Sequence, residues 1–131
     1  MIVEVVGAVI QDEAGLLLTV RKAGTLRFML PGGKREPGED DLTALARELA
    51  EELGVRLVSA ELVGVFEAQA ANEPGARVRS HAYRVKVAGE IIIASEIAEL
   101  CWIQPSSPPA GLAPLLSEQI LPALLRTEAR R

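Results

Sequence analysis

GKREPGEDDLTALARELAEELGV, residues 33–55, is the stretch on which the reading of this chain turns. It opens on a glycine-rich turn and switches at Asp40 to a helical pattern running to Leu53. Leu42, Leu45, Leu49 and Leu53 recur at spacings of three and four, which puts them on one arc of a helix facing the core. Asp40 or Asp41 supplies the N-cap, and Gly54 stands where a left-handed residue ends a helix. Glu48, Glu51 and Glu52 fall at i, i+3 and i+4 on a neighbouring arc. Like charges at that spacing cost a helix roughly 0.2–0.5 kcal/mol per pair. A solvated acidic face is one account of them. A compensating cation is the other, because hard divalent ions such as Mg²⁺ take carboxylate oxygens and keep water and phosphate oxygens as further ligands.

The wider spacing decides between the two. Gly33 is followed after five residues by Glu39, and after seven more by Arg47-Glu48-Leu49, Ala50, Glu51-Glu52, Leu53, Gly54 and Val55. This resembles the complete Nudix box, with every specified position present. At average residue usage, a chance match in a chain of this size is on the order of 10⁻⁸. Leu30-Pro31-Gly32 also resembles the usual lead-in to the box. The resemblance implies one small, MutT-like Nudix hydrolase domain spanning residues 1–131. It implies hydrolysis of a nucleoside diphosphate linked to another moiety, with Mg²⁺ or, as a substitute, Mn²⁺.

Position by position, Glu48, Glu51 and Glu52 correspond to metal ligands, and the carbonyl of Gly32 is a further one. Arg47 corresponds to the arginine that orients the box carboxylates and is spaced to pair with Glu51. Glu39 fixes the junction of loop and helix. Members of the family differ in their general base. Glu48 is one candidate; many relatives use a glutamate ahead of a later strand, here Glu96 first and Glu99 second. The chemistry agrees, since metal ions neutralise a diphosphate and lower the pKa of an attacking water, and a free carboxylate completes its deprotonation.

Within the family, a short chain resembles nucleoside triphosphate pyrophosphohydrolases, including those that cleanse the nucleotide pool of oxidised bases. ADP-ribose or dinucleotide hydrolysis is the alternative. No Ser-Gln-Pro-Trp-Pro-type sequence follows the box, which disfavours the NADH branch. A nucleotide-sensing domain without turnover is the rival from another class. Such domains usually lose box carboxylates, and here all of them are present. For substrate contacts, Arg21, Lys22 and Arg27 precede the Phe28 segment, with plain surface charge as an equal reading, while Lys34 and Arg35 lie closer to the metal loop and meet phosphates more readily. Phe28, Phe66 and Tyr83 are the aromatics available to stack on a base, set against plain core packing.

Outward from the box, residues 2–10 and 16–22 are β-rich runs joined by Asp12-Glu13-Ala14-Gly15, a hairpin pattern. Phe28-Met29-Leu30 reads as a short strand stopped by Pro31. Strand-like runs return at 56–68 and 77–88, around a loop containing Asn72-Glu73-Pro74-Gly75, and a short run follows at 91–93. Leu100 to Ile103 is the last, with Trp102 expected beneath a final helix near 114–127. That helix carries an apolar stripe, which is core and a candidate homodimer surface. Strands, helix, strands, helix predict an α+β domain, an α/β/α sandwich with a mixed sheet between helices, and the resemblance implies that this is the Nudix fold.

Composition sets the remaining bounds. At 131 residues and 49% apolar the chain buries a real core and is not disordered. A net charge of −4 disfavours nucleic-acid polymers and anionic membranes as partners. That charge has an address: residues 33–55 hold seven acids and three bases, and the rest of the chain balances to zero. The single Cys101 makes no internal disulfide, in keeping with a reducing, cytoplasmic setting. The apolar start lacks the basic region of a signal peptide and reads as a strand. A lone His81 makes no zinc site.

Overall fold

The computed structural model describes residues 1–71 and 73–129; the Asn72 of the predicted loop lies outside the described residues. Strands β1 (Ile2–Val9), β3 (Gly32–Lys34), β4 (Arg56–Gln69) and β5 (Arg77–Ala88) form a four-stranded mixed sheet in the order β3-β1-β5-β4. β1 runs parallel to β5, and the other pairs are antiparallel. β2 (Leu17–Lys22) and β6 (Ile97–Ile103) make a separate antiparallel pair. Helix α1 spans Asp41–Leu53, and a π-helical segment Leu115–Ile120 runs straight into α2, Leu121–Ala129. No helix of the described residues is long and apolar enough to cross a membrane.

Strand pleating divides the core into two layers, as the sandwich requires. Val6, Ala8 and Ile10 join Leu18, Val20 and Val85 against Ala44, Leu45, Leu49 and Leu53 of α1. Their neighbours Val9, Leu17 and Ala82 point the other way, against Leu116, Ile120, Leu121 and Leu124. The second half of β1, Val6 to Val9, is covered on both faces, which explains the apolar run that follows Glu4. The stripe of the last helix is spent mostly on this core.

α1 is closed at both ends by its own residues. Asp40 Oδ1 accepts the Thr43 N–H at 2.8 Å, and Gly54 at φ 67° returns its N–H to the Ala50 carbonyl at 3.1 Å. Replacing a cap of this kind by alanine typically costs about 1 kcal/mol. We therefore expect Asp40→Ala to lower the melting temperature by roughly 3–5 °C. Thermal denaturation checks this, and an unchanged midpoint would contradict it.

Five expectations are corrected by the fold. The two N-terminal runs begin as a hairpin, with Leu18 N–H bonded to the Ile10 carbonyl at 2.9 Å, and then part. Both edges of β1 are taken by β3 and β5, so β2 pairs with β6 instead. Phe28-Met29-Leu30 forms no strand; single bridges stitch Met29 to Val20 and Phe28 to Leu112. The run 91–93 is not a strand either. Its segment caps α1, with Ile92 N–H on the Leu53 carbonyl and Ala94 N–H on that of Glu52, both at 2.9 Å. Trp102 lies opposite Leu18, on the α1 side, and so does not sit beneath the last helix. Leu42, in the first turn, is 45% exposed, while Glu52 shares the buried arc with Leu45, Leu49 and Leu53. Helical side chains lean toward the N-terminus, which carries a first-turn residue past the layer it would otherwise cover.

Candidate active site

Two consecutive glycines let the backbone of β3 press against the carboxylates of α1. Gly32 sits at φ 143°, and a Cβ there would lie 2.0 Å from the Val6 carbonyl oxygen. Its N–H donates to Glu52 Oε1 at 3.2 Å, and its carbonyl accepts from Lys22 Nζ at 3.3 Å. At Gly33 a Cβ would stand 2.7–2.8 Å from the carboxylate atoms of Glu48. Only glycine allows the approach at Gly32, while at Gly33 a side chain would push the Glu48 carboxylate aside.

Glu52 is 4% exposed, and Lys22 Nζ lies 3.8 Å from its Oε2. Burial, and after it the adjoining Glu48 carboxyl, push the Glu52 acid well above the usual carboxylate range, against the pull of Lys22 and the Gly32 N–H. Two carboxyls side by side at a buried corner make a site that a cation relieves.

Arg47 holds the rest of the acidic set in place. Its Nε and Nη2 grip Glu39 at 2.7 and 2.9 Å, and Nη2 also donates to the Lys34 carbonyl at 3.0 Å. Nη1 reaches Glu48 at 2.9 Å and Glu51 at 3.4 Å. The forked grip on Glu39 holds that carboxylate down to about 2, and Glu39 in turn accepts the Glu36 N–H at 2.7 Å. One guanidinium thus ties the loop before α1 to the glutamates on it.

The donor set fits a hard divalent ion. Glu48, Glu52 and the Gly32 carbonyl offer oxygens from one corner, and half-exposed Glu51 is tied to Glu48 through the shared Arg47 Nη1. As arranged, no three carboxylate, imidazole or thiol groups of the described residues are gathered tightly enough to enclose a cation. The corner opens into a cavity of about 460 Å³ whose lining includes Lys22, Lys34, Glu48 and Glu96.

The structure sorts the other predicted residues by what they touch. Arg21 is bound to Glu99 at 2.6 Å and to the Thr25 carbonyl, so Glu99 is paired while Glu96 faces the cavity. Arg35 pairs with Asp41 at 2.9 Å and with Glu4 at 3.6 Å, beside the Tyr83 hydroxyl that donates to Asp41 at 2.5 Å. Phe28 and Phe66 pack into the α2 layer, with the Phe66 ring over Gly64. Lys22 is the basic residue of that group that reaches the glutamates. The register shifts between Arg21 and Lys22, and it is this long-range pairing, not the local sequence, that separates Lys22 from its basic neighbours. Ser80 and Gln69 also line the cavity, and nothing local in the sequence marks them.

Set beside known families, residues 1–124 match the NUDIX domain. The chain belongs to the Nudix family. Among its relatives, a CTP pyrophosphohydrolase of Escherichia coli is 34% identical over 79% of this chain and 76% of its own. A putative 8-oxo-dGTP diphosphatase of Bacillus subtilis is 27% identical over 86% and 73%. A MutT Nudix hydrolase from Burkholderia pseudomallei superposes with a TM-score of 0.81 at 25% identity, over 95% of this chain and 98% of that one. The protein is therefore a Nudix hydrolase with the Nudix fold, in a family whose members act on nucleotides and use divalent metal ions.

Proposed function

We propose that this Nudix hydrolase, a single domain over its 131 residues, cleaves nucleoside triphosphates to a nucleoside monophosphate and pyrophosphate with Mg²⁺. The observation that carries the reading is the one cavity shared by the box and an aliphatic wall. Lys22, Lys34, Glu48 and Glu96 border the same space as Val3, Val5 and Val78. A ligand with a polyanionic end and a flat apolar end fits such a space. The names of the E. coli and B. subtilis relatives point the same way.

In this reading Glu48, Glu52, the Gly32 carbonyl and Glu51 would hold the ion, whose chemistry when bound would be charge neutralisation of the phosphates and a lowered pKa for water. Arg47 fixes the direction of Glu48 and Glu51. Lys22 and Lys34 meet phosphate oxygens. Glu96 takes the proton as water adds to phosphorus and the anhydride P–O bond breaks, with pyrophosphate leaving. Glu99 is less suited, since Arg21 already holds it. Cleansing of oxidised nucleotides in the cytoplasm, where Cys101 stays reduced, belongs to the same proposal.

A panel of nucleotides incubated with Mg²⁺ and resolved by ion-exchange chromatography tests it. Monophosphate and pyrophosphate should appear from at least one triphosphate, and EDTA should abolish them. Preferred cleavage of ADP-ribose moves the assignment to the sugar-linked diphosphates. Nucleotide binding without any product moves it to a sensing domain.

A further inference from the structure

The floor of the cavity is the α2 face of the sheet, beyond the point where the α2 layer fills it. Pleating turns Val3, Val5 and Gly7 of β1 to that face, beside Val78 and Ser80 of β5. Farther along the same face, Val9 and Ala82 are covered by the helix. The floor is therefore aliphatic, with a single hydroxyl set into it.

Ser80 is only 2% exposed. No hydrogen bond joins its hydroxyl to another described residue, yet no sealed-off side-chain polar atom among them lacks a partner. The Ser80 oxygen therefore opens into the cavity it lines. Space for it is made across the strand, where a Cβ on Gly7 would come within 3.2 Å of Ser80 Oγ. Once a ligand covers the valines of this floor the hydroxyl is cut off from water, which is costly unless the ligand itself satisfies it. The hydroxyl both donates and accepts, so it can read a heteroaromatic edge of either polarity.

We propose that Ser80 selects the nucleobase: the base lies on Val3, Val5 and Val78, and the Ser80 hydroxyl hydrogen-bonds its edge. This rests on the nucleotide reading above. A base that leaves the hydroxyl unpaired is rejected, because a polar group buried without a partner is penalised more than a missing contact. Gly7 is a positioning residue that keeps the hydroxyl in place.

Isothermal titration of the full chain with AMP, GMP, CMP, UMP and 8-oxo-dGMP tests the assignment without requiring hydrolysis. The wild type should favour one base. Ser80→Ala should weaken that monophosphate about tenfold, the worth of one net hydrogen bond, and narrow the spread among the others. Gly7→Ala, which crowds the hydroxyl, should reproduce the loss with the serine still present. An equal loss for every monophosphate, or a wild type with no base preference, overturns the proposal. Selective binding that Ser80→Ala abolishes, in a chain that hydrolyses no triphosphate, upholds Ser80 and overturns the proposed activity instead.

Discussion

Glu52→Gln is expected to lower kcat by about 10³-fold, the upper range for one electrostatic partner of a transition state, while raising the melting temperature of the metal-free protein. The two effects have one cause. Glu52 is buried at 4% exposure next to a second carboxyl, an arrangement that penalises the fold until a cation enters. Glutamine keeps the shape and retains an oxygen for the Gly32 N–H, now at 3.2 Å, but removes the charge. A gain of about 1–2 kcal/mol, or roughly 3–8 °C, follows from relieving such a pair. Turnover, Mn²⁺ titration and calorimetry read the three consequences separately. Activity within tenfold of wild type with unchanged Mn²⁺ affinity would remove Glu52 from the metal site.

Gly32→Ala should be the most damaging conservative change in the chain. The added Cβ meets backbone, the Val6 carbonyl oxygen at 2.0 Å, and no rotamer relieves a backbone contact. Its φ of 143° is also closed to alanine. β3 would have to leave its register with β1, taking the Gly32 carbonyl and the Glu52 hydrogen bond with it. A loss of about 4 kcal/mol is expected, at the limit seen for single substitutions. Gly15→Ala is the control: φ is 84° there, and no atom lies within 4 Å of the added carbon. Its cost should be about 1 kcal/mol, from backbone strain alone. Equal midpoints for the two variants in urea would refute the steric account.

The contrast between these glycines shows what was legible in the sequence. The box was readable because its constraints are local. Asp40 caps, Gly54 stops, and Leu45, Leu49 and Leu53 repeat on one helix face, all within 15 residues. Long strands of β-branched residues were readable for the same reason. Partner choice was not, because it depends on which edges are already taken. The hairpin of β1 and β2 gave way to such competition. A shift of one residue in strand parity placed Trp102 on the other layer. The isoleucines at 91–93 have every local preference for a strand, yet their segment is consumed in closing a helix. In the site, the glutamates and Gly32 announced themselves, whereas Lys22 and Ser80 are identified by long-range strand pairing that no short window contains.

That closing of α1 carries a consequence for the reaction. Ala94 N–H is bonded to the backbone carbonyl of Glu52, and two residues later the Glu96 carbonyl accepts Ala23 N–H at 2.7 Å, next to Lys22. The residue that supplies a buried carboxylate is therefore also the mooring of the loop that carries Glu96, the proposed proton acceptor. Through these main-chain bonds the end of α1, the loop of Glu96 and the turn after Lys22 are tied to one another. The spacing of Glu52, Glu96 and Lys22 is thus set by the main chain and not by their side chains alone.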